Sequence, residues 1–132
     1  MPTALHQTRY SASLSKALCF IRKVFAMQVT AWTNGQHHRT GAGYGFKLRA
    51  ADRDRYFDKS WSTVFVALPG GSDEVEVNVS KTSFWSDTCR ELISSGFGRW
   101  LRERGYAPWP SGKPPKFDLV PVRSNHFKLE AK

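Results

Sequence analysis

The chain has 132 residues, 40% apolar and 14% aromatic, which suits one domain with ample core material and excludes a largely disordered polymer. Twenty Lys and Arg against eleven Asp and Glu give a net charge of +9, a field that favours nucleic acid, anionic membrane or acidic protein as partner. Cys19 and Cys89 form no Cys-x-x-Cys pair, so neither a disulfide framework nor a zinc ribbon is indicated, and no apolar run reaches the roughly 18 residues of a membrane-spanning helix.

Residues 1–26 hold Arg9, Lys16, Arg22 and Lys23 and no acid, so they form a basic N-terminal extension, helical or disordered. Leu14, Ala17, Leu18, Ile21, Val24 and Phe25 recur at helical spacing. Three readings stand: an upstream extension of a protein whose natural start is Met27, a targeting or membrane-surface helix, or an integral helix of the fold. A secretory signal fits less well, because Arg22 and Lys23 interrupt the apolar stretch.

Residues 27–132 read as a single domain. Met27 to Thr33 carries β-formers and ends at Asn34-Gly35, a turn dipeptide. Tyr44, Phe46 and Leu48 then alternate with Gly45, Lys47 and Arg49, the period of a half-buried strand with both cations outward. The polar stretch AADRDRYFDKSW suits one or two helical turns that dock Tyr56 and Phe57 on the sheet. WSTVFVAL, apolar on both faces, suits a central strand, and EVEVNVS alternates; the PGGSD between them makes the pair a hairpin.

From Ser83 the spacing of Trp85, Cys89, Leu92 and Ile93 predicts a helix over 83–95, followed by another over 97–104 that Gly105 stops. APWPSGKPP, with four prolines in nine residues, is an extended loop. Phe117 to Val122 and His126 to Leu129 alternate across Arg123-Ser124-Asn125, a final hairpin. The expected fold class is α+β: a curved, mainly antiparallel sheet or partly open small β-barrel packed against a helical pair in the C-terminal half.

The stretch TNGQHHRTGAGYGFKL invites three chemical readings. Its G-x-G-x-G spacing lacks the helix N-terminus that a dinucleotide fingerprint or a P-loop needs to hold phosphate. Adjacent His37 and His38 seldom converge on one ion, so no metal or other cofactor is expected. What is left is a flexible, cationic approach to a strand. Asp52 and Asp54 each neighbour an Arg, as in solvated ion pairs, and no residue is nominated as catalytic.

Cations interleaved with aromatics are the remaining pattern. Arg39, Lys47, Arg49, Arg53 and Arg55 form one bank, and Lys113 and Lys116 a second, with Arg99, Arg102, Arg104 and Trp109 between them. Phosphate binding needs such cations on a common face. Trp109, held between Pro108 and Pro110, is either a partner-docking element or a lid on the end of the sheet, and the lid is the preferred reading.

Taken in order, TGAGYGF, DRDRYF, SFW and APWPSGKPP resemble a family of small bacterial proteins to which no activity is attached. The resemblance covers residues 27 to about 130 and implies domain limits only. The reading from sequence is therefore a cytoplasmic, non-enzymatic binding module with nucleic acid, DNA or RNA, as first-choice partner. The alternatives are a protein-assembly component docking through Trp109, or an enzyme with a site beside the glycine loop.

Overall fold

The computed structural model describes residues 26–70 and 73–131, so the expectations for the N-terminal extension lie outside the described residues. In chain order the elements are β1 (Met27–Thr33), β2 (Tyr44–Lys47), α1 (Ala50–Tyr56), β3 (Thr63–Ala67) and β4 (Glu74–Asn78). A 3-10 turn (Thr82–Trp85), β5 (Glu91–Ile93), α2 (Ser95–Glu103), β6 (Lys116–Arg123) and β7 (His126–Ala131) complete the chain. The strands form one sheet in the order β4-β3-β7-β6-β1-β2-β5, antiparallel throughout except where β3 meets β7. It curls into a nearly closed barrel whose end strands β4 and β5 approach each other without a ladder between them.

Alternation drives this architecture. Met27, Val29 and Ala31 of β1 point inward at 3% exposure or less, as do Tyr44 and Phe46 of β2 and Phe117 and Leu119 of β6. The inward rings meet one another: Phe46 lies 4.9 Å from Phe97 of α2 and 5.5 Å from Phe117, and Phe57 stacks at 4.6 Å on Phe127. Full burial of one such side chain contributes about 1.5–3 kcal/mol, so these rings dominate the cohesion of the barrel. Both expected hairpins form, β3 is internal between β4 and β7, and α1 docks Phe57 on the core. Pro121 is tolerated inside β6 because the β6–β7 register shifts between Pro121 and Arg123.

The helix expected over 83–95 is not there. Its first turn is the 3-10 turn, and Leu92 continues as β5, paired antiparallel with Phe46. Tertiary bonds override the helical spacing. Trp85 Nε1 donates back to Val79 O at 3.0 Å, and Arg53 Nη1 donates to Phe84 O at 2.9 Å and to Ser86 O, carbonyls that a helix over 83–95 would need. Cys89, which the helical spacing groups with Trp85 and Leu92, is exposed. The second helix forms as α2, with Ser94 Oγ capping it through Gly96 N at 3.2 Å. Gly96 and Gly98 both lie inside it. Gly98 is required there: a side chain would collide with Gly41 and Tyr44, where the glycine loop crosses the helix. Among the described residues no helix is long and apolar enough to cross a membrane.

Candidate nucleic-acid interface

The register of the sheet brings one lysine of each cation bank together. Thr30 of β1 stands opposite Lys47 of β2 on one side and Lys116 of β6 on the other. Because Val29, Ala31, Phe46 and Phe117 take the core positions, Thr30, Lys47 and Lys116 share the outer face. Strand spacing puts the two lysine Cα atoms about 10 Å apart. The half-exposed Trp32 lies in the next row, opposite Gly45 and hence Ile93. Separated by 69 residues in sequence, the two lysines flank one threonine in space.

The cations differ in freedom. Lys47 Nζ donates to Thr88 O at 3.0 Å and lies 3.2 Å from Glu91 Oε2, with its side chain still 37% exposed. Lys116 is exposed at the start of β6. Arg49, two residues past Lys47, is 74% exposed and pairs with Asp52 at 3.2 Å, a contact worth about 0.2–1 kcal/mol that a phosphate can displace. Arg55 is exposed, its guanidinium 5.2 Å from the ring centre of Tyr56. Arg39 and Lys113 are exposed on their loops.

Arg53 does not belong with these. It is 4% exposed, with Nη1 on Phe84 O and Ser86 O and its other nitrogens on Asp54 Oδ1 at 3.0 Å. Arg53 points into the protein from α1, Arg55 lies about 200° round the same helix and faces out, and Arg49 faces out from the extended residue just before it. Its guanidinium is buried and anchors the 3-10 turn.

The glycine loop is pinned rather than flexible. Gly35, Gly41 and Gly43 adopt φ of 102°, 87° and 76°, and His37 a left-handed 49°. Asn34 N donates to Gly43 O at 2.9 Å across the loop's base. His37 Nδ1 lies 2.8 Å from Tyr44 Oη, and Arg102 of α2 donates to His37 O at 3.1 Å and Tyr44 Oη at 3.3 Å. Trp109 sets its ring edge-on to His37 at 4.8 Å and to Tyr44 at 5.8 Å, the lid-like arrangement. His37 is thus engaged with Tyr44 while His38 is exposed.

Sequence reasoning missed two features. One is a hollow beside Trp85 bordered by Lys59 and Lys81, residues that nothing in the sequence brings together. The other is an acidic cleft of about 470 Å³ at the barrel seam, lined by Asp73, Glu74, Glu76 and Glu103 among others. Four of the eleven acids therefore gather at one place, so the net positive charge is unevenly spread over the surface. No protein-family model matches the chain, and no curated protein or solved structure matches it either.

Proposed function

We propose that the protein is a small nucleic-acid-binding module that seats phosphates along the outer face of β6, β1 and β2. The observation that carries this reading is the Lys116–Thr30–Lys47 row with Trp32 in the adjacent row. Two ammonium groups flanking a hydroxyl offer charge and a hydrogen-bond donor to a phosphodiester, and an outward aromatic offers a surface to a base. Arg49, Arg55, Arg39 and Lys113 are further exposed cations. Arg102 and Trp109 act behind them by fixing the loop that carries Arg39.

The reading is tested by titrating a labelled strand and the matching duplex with the full chain at two salt concentrations. If about five phosphates are neutralised, affinity falls several-hundredfold between about 50 and 200 mM salt. K47A and K116A should each lower the salt slope by about one and weaken binding evenly across sequences. Absence of binding to both nucleic acids at about 50 mM salt rejects the proposal.

A further inference from the structure

The segment after β4 builds a second basic feature that the lysine row does not use. Trp85 Nε1 is held on Val79 O at 3.0 Å, which fixes the indole next to Lys59 and Lys81. With Ser80 and Thr82 these residues line an open hollow of about 320 Å³ that contains no acidic side chain. Part of the indole packs on the core and the rest forms a wall of the hollow. Lys59 Nζ lies 5.5 Å from the ring centre and Arg53 Cζ 5.4 Å, so the ring is already used as a cation-attracting surface. The segment that carries Trp85 runs on to the lysine row: Arg53 holds Phe84 O and Ser86 O, and Lys47 Nζ donates to Thr88 O at 3.0 Å.

We propose that this hollow takes one unpaired nucleotide of a single strand whose neighbouring phosphates lie along the Lys116–Thr30–Lys47 row; the inference rests on the nucleic-acid reading above. The base lies against Trp85, its phosphate meets Lys59 and Lys81, and the Ser80 and Thr82 hydroxyls face the sugar or base edge. Lys59 leaves the indole for the phosphate as the base arrives. A base stacked inside a duplex cannot present its face in this way, so the hollow favours single strands and tolerates any base.

The test uses the full chain and fluorescence anisotropy with a short labelled strand and its duplex. W85A should weaken strand binding by about 5- to 150-fold and leave duplex binding within about twofold, with W85F restoring most of the loss. Because Trp85 also packs on the core, K59A/K81A gives a second reading with the indole in place, and it should lower the strand's salt slope by about one, the single phosphate the two lysines share. Unchanged strand affinity in K59A/K81A, or an equal loss for strand and duplex in W85A, overturns the inference and leaves the wider reading intact. Duplex binding without strand binding does the same. If the wild type binds neither, the nucleic-acid reading itself fails. AMP is then the deciding probe: quenching of Trp fluorescence that K59A/K81A abolishes would make the ligand a free nucleotide and overturn the strand assignment.

Discussion

Arg53 and Arg55 are two residues apart in α1 and chemically identical, yet one anchors the fold and the other faces solvent. Two helical positions differ by roughly 200°, which suffices to separate their fates. Replacing Arg53 by Ala leaves Phe84 O and Ser86 O without their donor, so R53A should lose about 1–3 kcal/mol in urea unfolding. R53K should recover little, since one ammonium cannot reproduce the planar fork, and R55A should be near neutral in the same assay. Asp58 makes a smaller point about pH. Its carboxylate accepts from Ser60 N at 2.8 Å, and this bond, then the Ser60 hydroxyl, hold its pKa below the ordinary 3.8. A depressed folded value means the contribution is complete above the unfolded pKa and disappears as pH falls through the folded one. Stability of the wild type should therefore decline more steeply than that of D58N below about pH 4, measured by thermal melts across acid pH.

At the scale of elements, α2 contains two glycines with opposite requirements. A Cβ on Gly98 would run into Gly41 and Tyr44, while one on Gly96 would sit 3.2–3.5 Å from the side chains of Val75 and Ser94. Backbone cannot yield as a side chain can, so G98A should cost about 1–3 kcal/mol or more in chemical denaturation. In G96A the helix-propensity gain of roughly 0.8–1 kcal/mol offsets mild crowding, giving a small change. The sequence patterns that succeeded were the local ones: alternation in β1, β2, β4, β6 and β7, and the stop at Gly105, whose φ is 80°. Those that failed depended on distant partners. Trp85, Cys89 and Leu92 keep helical spacing, but Leu92 buries itself by pairing with Phe46, a contact 46 residues away that no local pattern records. The candidate interface was half legible for the same reason. Lys47 and Lys116 are individually visible as strand-flanking cations, whereas their meeting across Thr30 is a property of sheet register.

For the whole molecule the question is whether the net charge of +9 or its arrangement does the binding. A diffuse field acts on encounter rate and non-specific affinity, and any two cations contribute to it about equally. A contact row acts through counterions released at particular phosphates, so only its own members change the salt slope. Two double variants separate these cases while removing the same charge. K47A/K116A removes the row; R123A/K128A removes one exposed cation at the opposite end of β6 from Lys116 and one in β7 opposite Val120, so the two are displaced from the row along the strands. Both carry the same formal net charge. Binding by the row predicts that K47A/K116A lowers the salt slope by about two while R123A/K128A leaves it within experimental error. Binding by net charge predicts equal losses in both. The same comparison at high salt is an internal control, because screening shortens the reach of the field to about 3 Å at 1 M and removes the diffuse contribution first. Equal losses at low salt would therefore return the lysine row to an ordinary solvated surface.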